Sequence, residues 1–206
     1  MSKIFLERAI FVNRAPFDEP LELSFQENKI VVLSAVNGRG KTTVLSHVVD
    51  AFYEMAKSHF PNEFRGVEGQ YYRVSSQMFH VRGNEPSFVY LRFSAADGQK
   101  IDYVDVRGDQ AEKCTSEQYD AAIRVDNKIP FEAFSGLLAQ GGNAKLVHGL
   151  NPAVAKEIFQ GNVLTYFPSY RYEQPGYLND PYKVKLEFKK ESGFSGYLPN
   201  PLEVAT

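Results

Sequence analysis

The chain is 206 residues long, 43% hydrophobic and 23% charged, with a formal net charge of −2, which suits one sizeable globular domain or lobe rather than two. So small a net charge argues against a protein that coats nucleic acid, although a local basic face is compatible with it. Cys114 is the single cysteine, which excludes an internal disulfide, and no run approaches the roughly 20 apolar residues of a membrane span. Residues 1–8 alternate charged and apolar side chains and lack the basic start and long apolar core of a signal peptide. A cytoplasmic protein with no membrane partner is expected. Sixteen Phe and 12 Tyr, with no Trp, suit β-structure and a filled core.

In chain order, residues 4–12 are rich in Ile, Phe, Leu and Val and predict a strand. Residues 21–25 alternate apolar and polar and predict a half-buried strand, with a proline-bearing turn at 13–20 between the two. Ile30, Val31, Val32 and Leu33 are continuously apolar, which predicts a strand buried on both faces. A polar glycine-bearing loop at 34–40 follows, and then a helix over 41–57 with Val44, Val48, Phe52 and Met55 on one face. Residues 71–81, 87–93 and 100–106 are β-prone. Ala95, Ala96, Asp97 and Gly98 join the last two as a hairpin. Residues 109–160 predict helix, with Asn151 and Pro152 as cap and first turn of a helix reaching Phe159. Residues 162–167 predict a strand, 168–181 a loop dense in Tyr, Pro and Gly, and 182–189 a strand of alternating apolar and basic residues.

The chemistry-bearing segment is Ala35, Val36, Asn37, Gly38, Arg39, Gly40, Lys41, Thr42 and Thr43. It matches G-x-x-x-x-G-K-[S/T], except that Ala35 stands at the first glycine. Successive backbone amides in such a loop form an anion-binding nest, and the following helix start adds partial positive charge. Gly38 and Gly40 allow the backbone to approach a phosphate. Lys41 carries a point charge to the terminal phosphates, Thr42 offers a hydroxyl to Mg²⁺, and Thr43 offers a further donor. Asn37, Gly38, Arg39, Gly40, Lys41, Thr42 and Thr43 are therefore the candidate residues for binding ATP and Mg²⁺, with Thr42 the metal ligand. A chance glycine turn between a strand and a helix is the bland alternative.

Asn37-Gly38-x-Gly40-Lys41-Thr42-Thr43 resembles the phosphate loop of ABC-type ATPase heads, and most of all the SMC-like branch. That branch includes chromosome-maintenance, recombination-repair and OLD- or Septu-type anti-phage ATPases. Residues 10–17, 21–25 and 30–33 are similar to its opening strands, so the resemblance is sharp over residues 1–55 and diffuse afterwards. It implies an α/β P-loop NTPase fold, with a mixed sheet around the Walker A helix and an antiparallel β-subdomain at about 70–107. It also implies Arg14 as a basic residue near the nucleotide. Gln174 is implied as the glutamine that reaches the metal and attacking water, with Gln77 as its runner-up and Arg171 as a residue facing a phosphate or partner. Lys41 and Gln174 are the candidate catalytic residues.

No run of four apolar residues ends in Asp-Glu, and no Leu-Ser-Gly-Gly signature is present. In that family both lie in the C-terminal half. The expectation is an N-terminal lobe over 1–206, with Walker A at 35–42 and a helical segment at about 109–160. Such a lobe binds ATP and hydrolyses it poorly without the other half and without a head-to-head homodimer. DNA or an effector nuclease is the implied partner, in DNA repair or antiviral defence. A transporter ATPase subunit is disfavoured by the long stretch between residues 57 and 167. A non-hydrolysing nucleotide-sensing module and a small-molecule or polynucleotide kinase remain alternatives. His47, His59, His80 and His148 show no metal-ligand spacing. Cys114 reads as a plain thiol. Lys183, Lys185, Lys189 and Lys190 read as a protected strand edge rather than a DNA contact.

Overall fold

The computed structural model describes residues 4–59, 74–75, 82–83, 85–95, 97–107, 114–140, 143–159, 164–166 and 202–204. The elements are β1 (Ile4–Val12), β2 (Leu21–Ser24), α1 (Lys41–His59), β3 (Ser87–Ala95), β4 (Lys100–Arg107), α2 (Ser116–Ala122), α3 (Phe131–Ala139), β5 (Asn143–His148), α4 (Pro152–Ile158), β6 (Leu164–Tyr166) and β7 (Leu202–Val204). The chain is α/β and divides into two compact units, one of residues 4–45 and 76–150, the other of 1–3, 46–75 and 151–206. Among the described residues no helix is long and apolar enough to cross a membrane.

The first unit is built on an antiparallel sheet in the order β2-β1-β3-β4-β5. Alternation places Ile10, Tyr90, Val104 and Leu146 in one cross-strand row, and Val12, Phe88, Val106 and Ala144 in the next. Against this face pack Tyr119 and Ile123 of the α2 region, Ile129, and Phe134, Leu137 and Leu138 of α3. Tyr119 and Phe134 approach to 4.4 Å between ring centroids, and Phe88 meets Phe134 edge-on at 5.1 Å. All nine positions of β3 are buried, so both of its faces are covered. The β3–β4 turn closes as the sequence predicts, with Gly98 at φ +83° and its amide donating to the Ala95 carbonyl at 2.9 Å.

In the second unit, α4 starts where Asn151 and Pro152 predict. The Asn151 side chain accepts from the Val154 amide at 2.8 Å. Phe159, just past the helix, packs edge-on against Phe52 at 6.4 Å. The Asp50 carboxylate accepts from the Val74 amide at 2.6 Å and from the Ser75 amide and hydroxyl. β6 and β7 form a two-stranded parallel sheet.

Three expectations need correction. Residues 30–33 are not a strand: they have no regular structure, and Ile30 and Val32 are 95% and 81% exposed. An apolar run becomes a buried strand only when other strands complete its ladder, and among the described residues no strand pairs with it. Residues 109–160 are not helical throughout, because β5 lies within them. Ala144 and Leu146 face the core in alternation with Lys145 and Val147, and β4 offers them a free edge. The sheet is not one mixed sheet with a separate antiparallel subdomain. Instead β3 and β4 are inner strands of the antiparallel sheet, because β1 pairs with β3 from Phe88 to Ala95 with one bulge at Glu7, and β6 and β7 form their own parallel pair. The expected strands over 71–81 and 182–189 lie outside the described residues, apart from 74–75.

Candidate phosphate-binding loop

The loop at 34–40 leads directly into α1, which begins at Lys41. The first helical hydrogen bond runs from the Val44 amide to the Gly40 carbonyl at 3.0 Å. The amides at the head of α1 have no intrahelical acceptor, and the first turn carries no acidic side chain to neutralise them. Gly38 and Gly40 both adopt left-handed angles, φ +80° and +85°. They flank Arg39 and turn the chain into the helix, a conformation that a side chain at either position would strain.

The two glycines differ in surroundings. A Cβ at Gly38 would meet nothing within 4 Å, so that side of the loop is open. A Cβ at Gly40 would collide with the Phe17 ring, lying 2.5 Å from Cε1 and 3.1 Å from Pro16 Cδ. Lys41 Nζ folds back over the loop and donates to the Ala35 carbonyl at 2.6 Å and the Val36 carbonyl at 3.1 Å. The ammonium thus ties the loop's first residues to the helix start. Asn37, Gly38, Arg39 and Thr42 are exposed, and Lys41 and Thr43 are half-buried. The open face, the exposed Thr42 hydroxyl and the ammonium fit a Mg²⁺-bound polyphosphate. Such a group would be held by the 38–41 amides, by Lys41, and through its metal by Thr42. A nucleoside triphosphate held there would supply a scissile phosphoanhydride bond.

Arg14 is 2% exposed, and its guanidinium donates to the Asp105 carbonyl at 3.2 Å. Arg107 pairs with the Asp105 carboxylate beside it, Nε to Oδ1 at 2.9 Å. The position before Arg14 is also fixed. Asn13 Nδ2 donates to the Arg82 and Glu85 carbonyls at 2.8 and 2.9 Å, and Asn13 Oδ1 accepts from the Arg82 amide at 2.7 Å. Gln174, Gln77, Arg171, Lys183, Lys185, Lys189 and Lys190 lie outside the described residues, as does His80.

No protein-family model, no curated protein and no solved structure matches the chain.

Sequence reasoning missed the contribution of Phe17 beside Gly40. The two are 23 positions apart, and no local pattern links them. It also missed the Thr115–Gln118 capping box at the start of α2, in which Thr115 accepts from the Gln118 amide and Gln118 reaches back to the Thr115 amide. That signal was readable as T-x-x-Q.

Proposed function

We propose that residues 37–43 bind the phosphates of ATP with Mg²⁺, and that the chain is the nucleotide-binding lobe of an SMC-like ABC-type ATPase. The intact ATPase would dimerise through its heads and act on DNA or a defence effector. The observation that carries this reading is the pair of left-handed glycines immediately ahead of a 19-residue helix, with Lys41 Nζ anchored over the loop. The backbone amides at a helix start attract anions, and the lysine adds positive charge to the same loop.

Because the sequence has no apolar-Asp-Glu run, binding without rapid turnover is the expected behaviour of this chain. That expectation keeps the nucleotide-sensing alternative in view. The test is calorimetric titration with ATP in the presence and absence of Mg²⁺, on the wild type and on Lys41→Ala. Loss of a charge-assisted contact predicts roughly tenfold or greater weakening. Equal affinities for the two proteins would remove the phosphate-loop reading, and fast hydrolysis by this chain alone would contradict the expectation that turnover needs a further, Asp-Glu-bearing half.

A further inference from the structure

We propose that Phe17 is a positioning residue for the phosphate loop: its ring braces Gly40 and holds the loop in the conformation that receives the anion. The proposal rests on the reading of residues 37–43 as a phosphate-binding loop. The ring occupies the volume that a side chain at Gly40 would fill. Gly38, by contrast, has open space on its corresponding side. The loop is therefore backed at one glycine and free at the other.

Phe17 is itself held firmly. Its ring packs on Phe11 at 5.4 Å between centroids, and Phe11 is fully buried in β1. Its amide donates to the Arg14 carbonyl at 2.8 Å. Arg14 is bonded to the Asp105 carbonyl, and Asn13 is bonded to the backbone at Arg82 and Glu85. A continuous set of contacts thus runs from the sheet through the 13–17 turn to the last glycine before Lys41. Glycine visits both signs of φ readily, so nothing in its own chemistry keeps Gly40 at +85°. A rigid neighbour against its α-carbon narrows that choice.

If removing the ring leaves the loop in its binding conformation about a tenth of the time, the apparent Kd rises about tenfold. Phe17→Ala should therefore weaken Mg²⁺–ATP binding by about that factor, measured by titration well below the unfolding midpoint. Phe17→Tyr, which keeps the ring, should restore affinity to within about twofold. Phe17→Leu, which keeps apolar packing on Phe11, should fall between them and serves as the informative variant if the alanine protein does not fold. A merely structural role would lower stability while leaving the affinity of the folded protein unchanged.

Gly40→Ala provides a second readout. Its steric cost should be smaller in the Phe17→Ala background than alone, so the two losses should not add. Wild-type affinity in both the alanine and leucine variants, alongside lost binding in Lys41→Ala, overturns the proposal and spares the phosphate-loop reading. Failure of the wild type to bind removes both.

Discussion

Arg92 and Asp102 are paired across β3 and β4, with Nε to Oδ1 at 2.7 Å and the second guanidinium nitrogen to Oδ2 at 2.8 Å; their side chains are only 4% and 3% exposed. Arg92 Nη1 also donates to the Asp126 carbonyl at 2.5 Å, and Nη2 to the Asn127 carbonyl at 3.1 Å, in the connection between α2 and α3. One ion pair therefore joins the sheet to the loop that precedes α3. Burial, followed by the neighbouring Asp102 carboxylate, pushes the Tyr90 phenol well above its ordinary range, so Tyr90 stays neutral beside the pair.

Removing one member of this pair leaves a buried charge without its partner. Asp102→Ala is expected to cost about 3–5 kcal/mol of stability, whereas Arg92→Met with Asp102→Leu should recover most of that loss. Urea unfolding followed by circular dichroism measures both. A single substitution costing no more than a surface change would show that the pair contributes little to stability.

Glu7 and Lys100 give a pH-dependent contribution of known sign. Burial raises the Glu7 carboxyl, but hydrogen bonds from Lys100 and Ser94 and the charges of Lys100 and Arg92 outweigh it and hold the group below its ordinary value of 4.5. A carboxyl with a lowered folded pKa contributes stability that is fully present above its unfolded pKa and is lost as pH falls through the folded one. Both partners are partly exposed, so the contribution is about 0.5 kcal/mol. The stability gap between wild type and Glu7→Gln should be open at pH 7 and should close below pH 4.5. A gap independent of pH between 3 and 7 would contradict this assignment.

Burial pushes the Cys114 thiol up to about 11. At pH 8 the thiolate fraction is then ~10⁻³, and the sulfur is shielded as well. Alkylation by iodoacetamide should be slow in the native protein and accelerate sharply in urea. Rapid labelling without denaturant would place Cys114 at the surface.

The exposed apolar side chains of Ile30, Val31, Val32, Val36 and Leu45 cluster between residues 30 and 45. Ile30→Thr with Val32→Thr should leave the unfolding midpoint within about 0.5 kcal/mol of wild type. The same change should reduce dye binding and concentration-dependent association in sedimentation. A large loss of stability would mean that this run is buried in a sheet, as its sequence suggests.

What the amino-acid order determined by itself was local. Richness in Ile, Phe, Leu and Val marked β1, alternation marked β2, the glycine turn marked the β3–β4 hairpin, Asn151 and Pro152 marked the start of α4, and Gly38–Thr42 marked a loop followed by a helix beginning at Lys41. Each of these signals acts within a few residues, through φ preferences, caps or side-chain periodicity. The tertiary structure alone decided that 143–148 extends the sheet, that 30–33 stays outside it, that Arg92 faces Asp102, and that Phe17 stands against Gly40. Those outcomes depend on which strand edges are free and which surfaces meet across long stretches of chain, and such encounters leave no periodic trace in the sequence.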